Sequence, residues 1–179
     1  MSYLKKIKLN KPSTYTLKRC EVFGEFSAES SADEYARRNQ HSLDKIKLDI
    51  YRGKVAEFMV YDYLTSKGNK TNLPDLEIYS RHQKSFDADL TSEGHDIHVK
   101  SHVINHSFPV SWVFQKRDKL TKGNSEDFLC LVVMDDNWDG WFYIEKAKVL
   151  EFKPPVKESL QASKVCIYEE DLNAIPWCD

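Results

Sequence analysis

Residues 86–101 read FDADLTSEGHDIHVKS, a stretch with two aspartates, a glycine-containing turn and a short β-type segment. Strand alternation places Asp87 and Asp89 on one face of the first segment, and His98 and Lys100 on one face of the second. If the two segments pair as a hairpin, carboxylates, an imidazole and an ammonium group converge on one patch. Carboxylates beside a lysine are the groups needed to hold a divalent cation and to activate a water molecule against a phosphate.

This arrangement resembles the PD-(D/E)XK nuclease superfamily. The signature of that superfamily is an acidic residue on one strand and an acidic-x-Lys triplet on the next, often preceded by a helix that carries a glutamate. Asp87 or Asp89 matches the first acidic position, and His98-Val99-Lys100 matches the triplet. The chain departs from the signature because His98 stands where the triplet's acidic residue is expected. The resemblance implies an α/β protein with a restriction-endonuclease-like core, a mixed β-sheet flanked by helices.

A long amphipathic helix is predicted from Leu43 to Leu64, upstream of the hairpin. Ser42 can cap its start, and Gly68 lies just past its end. Its apolar stripe has a 3–4 residue spacing and consists of Leu43, Ile46, Ile50, Gly53, Glu57, Val60 and Leu64. Glu57 is the one charge in this stripe, so it needs a partner, which a metal ion or Lys100 would supply. The alternative is that Glu57 lies at the edge of the stripe and reaches solvent or an arginine.

The resemblance also implies a role for each candidate residue. Asp89, with Asp87 as the less favoured choice, would bind Mg²⁺, and Glu57 would complete the site through the metal or a bound water. Lys100 would orient the attacking water and stabilise the charge that develops on the phosphate. His98 would act as a neutral imidazole ligand or as a proton-handling group. A nitrogen ligand favours tolerance of Mn²⁺ beside Mg²⁺.

Gln115 ends the strand-like segment Ser111-Trp-Val-Phe-Gln115. If this strand lies next to the strand that carries Lys100, Gln115 could orient the water or a phosphate. The alternative is a core strand in which Gln115 is a polar residue at the rim.

The histidines allow one further interpretation. On a helix, His98, His102 and His106 would share a face and could bind zinc, as in a zinc hydrolase unrelated to nucleases. Residues 96–103 are rich in β-branched residues and alternate, however, so a strand is the better prediction and the zinc site the weaker one.

Length and composition favour one globular domain over residues 1–179, with an N-terminal extension at 1–30 and a core at 43–145. The net charge of −2 provides no global basic field, but basic residues cluster near the N-terminus and at Lys116–Lys122 and could contact phosphates.

The four cysteines form no CxxC pair, and Cys130, in an apolar run, is predicted to be buried. With no signal peptide and no apolar run long enough for a bilayer, we expect a reduced, cytoplasmic protein, in the host cytoplasm if it is phage-encoded.

Further elements follow from local patterns. A strand is predicted near Cys20–Phe23 and a helix from Ser31 toward Gln40. The resemblance also implies a helix after the central strands, for which the candidate is Lys116–Glu126, a short segment interrupted by Gly123. Other strands are predicted, largely antiparallel, at Leu76–Ser80, Val110–Gln115, Phe128–Met134, Trp141–Glu145 and Lys164–Glu169.

The sequence thus predicts a metal-dependent DNA endonuclease with no membrane partner, which could act as a homodimer. The alternatives are a catalytically inactive relative that binds nucleic acid or a protein, and the zinc hydrolase.

Overall fold

The computed structural model describes residues 4–36, 42–79, 88–105, 107–172 and 174–175. In chain order the elements are β1 (Leu4–Lys5), β2 (Ile7–Lys8), α1 (Thr14–Ala36), α2 (Leu43–Ser66), β3 (Leu90–Ser92), β4 (His95–Val103), β5 (Ser111–Gln115), β6 (Phe128–Met134), β7 (Gly140–Lys146), α3 (Glu158–Gln161), β8 (Lys164–Tyr168) and β9 (Ala174–Ile175). Short 3₁₀ helices lie at Lys119–Lys122, Ala147–Val149 and Glu169–Asp171. Helices and a mixed sheet confirm the predicted α/β class.

The chain forms two compact units. The helical unit consists of the described residues of Asn10–Glu93, and the sheet unit of those of Met1–Leu9 and Gly94–Asp179. The helical unit therefore contains α1, α2 and β3, while the sheet unit contains the other strands and α3.

In the helical unit, α1 packs closely against α2 through small side chains. Cys20, Gly24 and Ala28 are spaced by four residues, and all three are buried. A Cβ atom added at Gly24 would lie 3.1 Å from the carbonyl oxygen of Lys47 and 3.3 Å from Cβ of Tyr51. The glycine therefore permits the close approach of the two helices.

The start of α1 contradicts two predictions. Residues 20–23 are helical rather than a strand, and the helix begins at Thr14 rather than near Ser31. Ser13 supplies the cap, because its Oγ accepts a hydrogen bond of 3.0 Å from the backbone N–H of Thr16. The small residues of this stripe differ little in hydrophobicity from the polar residues between them, so the sequence does not reveal the 3.6-residue period of the helix.

The prediction of α2 is confirmed. The helix runs from Leu43 to Ser66, and Oγ of Ser42 accepts the backbone N–H of Lys45 at 3.4 Å. Gly68 has a φ of +86°, the left-handed conformation that ends a helix. Residues 55–60 are buried without interruption.

The segment after α2 is held by local hydrogen bonds, with one bridge to β3. Thr71 and Ser92 form an isolated antiparallel bridge, and their hydroxyl oxygens lie 2.8 Å apart. Residues 76–79 do not form the predicted strand. The carboxylate of Asp75 accepts the backbone N–H of Glu77 and the hydroxyl of Tyr79, which gives this segment local partners instead of a sheet neighbour. Ser80 lies outside the described residues.

In the sheet unit, four strands pair side by side in the order β2, β7, β6 and β4. The β2–β7 and β6–β7 pairs are antiparallel, whereas β4 and β6 are parallel, so the prediction of largely antiparallel pairing is correct only in part. Between β4 and β6 the chain passes through β5, which pairs with β8 in antiparallel fashion. β1 pairs with β9 in parallel.

The core of the sheet unit is built from alternating residues. It contains Trp112 and Phe114 of β5, Leu129, Leu131 and Val133 of β6, Tyr143 of β7, Ile167 of β8, and Leu120 and Ala147. The indole N–H of Trp112 donates to the carbonyl oxygen of Val132 at 2.9 Å, which satisfies a buried donor. These strands lie at the predicted places, and β6 has the predicted bounds.

The predicted helix over Lys116–Glu126 is wrong. Only the 3₁₀ helix Lys119–Lys122 forms there, capped by the side chain of Asp118. Gly123 ends it at once because its φ of +73° is left-handed.

Cys20, Cys130 and Cys166 are buried and unpaired, so the predicted burial of Cys130 is confirmed. Burial raises the pKa of all three thiols, which therefore remain protonated and unreactive. In the part of the chain that the structure describes, no helix combines the length and the apolar character needed to cross a membrane.

Candidate functional site

The candidate residues fall into two groups, one in each unit. Glu57 and Asp89 belong to the helical unit, and His98, Lys100 and Gln115 belong to the sheet unit. Asp87 lies outside the described residues.

Glu57 is buried in the middle of α2, with 8% of its surface exposed. Its Oε2 lies 2.6 Å from Nζ of Lys54, one helical turn earlier, and both side chains are almost fully enclosed. Lys54 Nζ also lies 4.9 Å from the ring centroid of Phe23 on α1. The stripe position of Glu57 is therefore confirmed, but its observed partner is Lys54, which sequence reasoning did not identify.

The surroundings of Glu57 oppose its ionisation. Burial is the largest cause, followed by the negative charge of Asp89, while Lys54 acts in the opposite direction and Asp75 adds a smaller repulsion. The result raises the pKa of Glu57 from its ordinary value of 4.5 to about 8. The Lys54 ammonium therefore offsets only part of the cost of ionising this carboxyl group, and a further positive charge would favour its ionised form.

Asp89 and Asp75 are the two carboxylates of the helical unit whose negative charge acts on Glu57. Asp89 is partly buried and directly precedes β3, which contacts α2. Asp75 is held by its bonds from Glu77 and Tyr79, and the pKa of the Tyr79 hydroxyl is raised because it donates to this carboxylate.

The donor chemistry of these carboxylates suits a hard divalent cation, because Mg²⁺ and Mn²⁺ bind carboxylate oxygens. A bound cation would also supply the positive charge that Glu57 needs to ionise. Within the described ranges, however, no three histidine, cysteine, aspartate or glutamate side chains lie close enough together to hold a metal. The described donors Glu57 and Asp89 are therefore an incomplete ligand set by themselves.

His98 in the sheet unit is buried and paired with an aspartate. Its Nε2 lies 3.1 Å from Oδ2 of Asp127, and the same oxygen lies 2.9 Å from Nζ of Lys119. The bond from Lys119 is the main cause that lowers the pKa of Asp127, and the bond to His98 acts in the same direction. Since Asp127 is anionic, we assign the proton of a neutral imidazole to Nε2, which leaves the lone pair of Nδ1 for a metal or a proton.

Lys100 follows His98 on the same face of β4, two residues further on. Its Nζ lies 5.8 Å from the ring centroid of Phe114, a buried residue of β5. Gln115 is exposed, on the face of β5 opposite to Phe114, and its neighbour in the sheet is Lys164. The structure places His98 and Lys100 on one face of β4, whereas β5, which carries Gln115, pairs with β8 rather than with β4.

The helix required by the zinc interpretation is absent from residues 95–103, which form β4. His102 is occupied through Nδ1, 2.9 Å from the carbonyl oxygen of Ser111. His106 lies outside the described residues.

Sequence reasoning missed Lys54, Asp75 and Asp127, and it identified Lys119 as part of a basic cluster but not as the partner of Asp127. Lys54 could have been found, because residues three apart on a helix are neighbours. Asp127 could not, because it is 29 residues from His98 and reaches it only through the parallel register in which His98 lies opposite Leu129.

Comparisons with protein-family models, with curated proteins and with solved structures return no match. Function must therefore be inferred from the chemistry of the two groups.

Proposed function

We propose that this chain is a metal-dependent endonuclease that hydrolyses phosphodiester bonds in DNA. The observation that carries the proposal is the buried carboxyl group of Glu57, which neighbouring Asp89 and Asp75 help to keep protonated. Strongly perturbed pKa values cluster at functional sites, and structural ion-pair networks also produce them. Lys54 offsets only part of the cost of ionising Glu57, so the added charge of a divalent cation would favour the carboxylate further.

Each group has a role in this reaction. Glu57 and Asp89, with Asp87 as the less favoured alternative, would hold Mg²⁺, which supplies charge neutralisation on the phosphate and a more acidic water. Lys100 orients the attacking water and stabilises the developing negative charge. His98 offers Nδ1 as a nitrogen ligand or as a proton acceptor, since Asp127 engages Nε2.

Two features of the chain order support the proposal. Only Glu93 and Gly94 separate β3, which follows Asp89, from β4, which carries His98 and Lys100. The helix with Glu57 precedes both strands, in the order that the PD-(D/E)XK resemblance implies. We extend the proposal to a restriction-endonuclease-like fold, supported by the mixed sheet with its parallel β4–β6 pair.

One observation favours a second candidate, a catalytically inactive module that binds nucleic acid. Lys54 lies 2.6 Å from Glu57 and could replace the cation permanently. The presence of His98 in place of the acidic residue of the triplet also favours an inactive module.

The test is incubation of the purified protein with single-stranded and double-stranded DNA in Mg²⁺, in Mn²⁺ and in EDTA. We expect cleavage with either metal and none in EDTA, and the folded Asp89→Ala variant should lose it. Glu170→Ala, which removes an exposed carboxylate of the sheet unit, is the matched control and should cleave normally. DNA binding without cleavage under every condition would favour the inactive module instead.

A further inference from the structure

A turn of the sheet unit is rich in exposed basic residues. This basic turn consists of Lys116–Lys122, between β5 and the end of the 3₁₀ helix. Lys116, Arg117 and Lys122 are exposed, and within the described residues no carboxylate lies within ion-pair distance of any of them. Several other lysines of the sheet unit are neutralised; Lys146 and Lys148, for example, both bind Glu126.

The basic turn is held in one conformation by its own hydrogen bonds. The carboxylate of Asp118 accepts the backbone N–H of Leu120 at 3.0 Å, and Leu120 is buried in the core. The hydroxyl of Thr121 donates to the carbonyl oxygen of Asp118 at 2.9 Å, and the N–H of Lys116 donates to Ser163 at 3.0 Å. The cations therefore project from a fixed backbone, which reduces the entropy lost when they bind a ligand.

The basic turn borders the environment of His98. Lys119, within the turn, binds the same Asp127 oxygen that binds Nε2 of His98, at 2.9 Å and 3.1 Å respectively. A ligand held by Lys116, Arg117 and Lys122 would thus lie next to the residues that position His98.

The charge of the turn indicates what this ligand is. The turn holds four basic residues and one acidic residue, Asp118, and Asp127 neutralises Lys119. A local positive surplus remains on a chain whose net charge is −2. Three exposed cations within seven residues fit successive negative charges on a polymer better than one small anion. We propose that the basic turn binds the phosphate backbone of DNA beside His98; the choice of DNA as the polyanion rests on the proposed function.

The test removes the three charges together, in a Lys116→Gln, Arg117→Gln, Lys122→Gln variant. Binding of a fluorescently labelled DNA duplex is followed by anisotropy in EDTA over a series of KCl concentrations. Each lost phosphate contact should reduce the slope of log K against log salt by about 0.9, so we expect a slope shallower by about 2 to 3. At low salt the affinity should fall about tenfold or more.

The matched control is a Lys45→Gln, Lys67→Gln, Lys157→Gln variant, which loses the same charge at exposed positions outside the two basic clusters. It should keep the wild-type slope. Equal losses in both variants, or no loss in the basic-turn variant, would overturn the proposal. Thermal melts confirm folding, and the single Arg117→Gln variant repeats the measurement if the triple variant is unstable.

Two further measurements separate this proposal from the proposed function. If the wild-type protein cleaves DNA and the basic-turn variant binds DNA with an unchanged slope, the basic turn is not the contact and the nuclease proposal stands. If the wild-type protein neither binds nor cleaves DNA, both proposals are wrong. Polyglutamate serves as a second polyanion: loss of its binding with unchanged DNA binding would overturn the proposal in favour of an acidic protein partner.

Discussion

Replacement of Glu57 by glutamine should stabilise the protein at neutral pH. Glutamine has the shape of a protonated glutamate, and its amide oxygen can still accept the hydrogen bond from Lys54. The folded protein raises the pKa of Glu57 from 4.5 to about 8, so the folded state holds this proton more tightly than the unfolded state. The stabilisation that follows is complete below pH 4.5 and is lost as the pH rises toward 8.

The magnitude follows from this pKa difference. One pKa unit corresponds to about 1.4 kcal/mol. The contribution of Glu57 to the wild-type free energy of unfolding should therefore fall by about 1.4 kcal/mol for each pH unit between pH 4.5 and 8. Glutamine does not ionise, so the variant lacks this contribution. The two proteins should be about equally stable near pH 4.5, and the variant should be more stable by about 3 kcal/mol at pH 7.

The assay is urea unfolding of both proteins at several pH values from 4.5 to 8. Titrations shared by the two proteins cancel in the difference, and Glu158→Gln controls for the loss of one exposed charge. A difference that does not change with pH would refute the reasoning, because Glu57 would then titrate at its ordinary pKa. A difference of the opposite sign, with the wild type gaining on the variant as the pH rises, would show that the ion pair with Lys54 outweighs burial. Added Mg²⁺ should raise the melting temperature of the wild type more than that of the variant.

Three further predictions concern single positions. Asp127→Asn should weaken the preference of the His98 ring for a proton on Nε2, a change visible in ¹⁵N NMR spectra of the imidazole; a wild-type ring protonated on Nδ1 would contradict our assignment. His98→Glu should retain or raise Mg²⁺-supported cleavage because it restores an oxygen donor, whereas His98→Ala should lose activity and partly regain it with Mn²⁺. Normal cleavage by His98→Ala would exclude the imidazole as a ligand. Gly140→Ala should lower the free energy of unfolding by several kcal/mol in chemical denaturation, because the added Cβ would clash with the backbone carbonyl oxygen of Val133. Gly53→Ala, with open space around the added Cβ, should raise it by up to about 1 kcal/mol.

The elements that could be predicted from the sequence are those with strong local signals. The helix α2 combines an apolar stripe, the cap at Ser42 and the left-handed Gly68, so its bounds were nearly correct. In contrast, α1 buries Cys20 and Gly24 against α2, and small side chains give no periodic signal that a sequence pattern can detect. Which residues of α1 become buried depends on the position of α2, and the sequence of α1 does not give that position.

The candidate site shows the same division. Alternation correctly placed His98 and Lys100 on one face of a strand, and the stripe correctly placed Glu57 inside a helix. The partners of these residues depend on tertiary structure. Asp127 reaches His98 only because β4 and β6 are parallel, and strand direction cannot be read from a local pattern.

The central claim is tested most directly by DNA cleavage with the Lys100→Ala variant beside the wild type. Lys157→Ala, which removes an exposed lysine of the same unit, is the matched control, and circular dichroism verifies that all three proteins are folded. We predict that the wild type and Lys157→Ala cleave labelled DNA in Mg²⁺ or Mn²⁺ and not in EDTA, and that folded Lys100→Ala does not cleave under any of these conditions. Near-wild-type cleavage by folded Lys100→Ala would contradict the proposed nuclease mechanism.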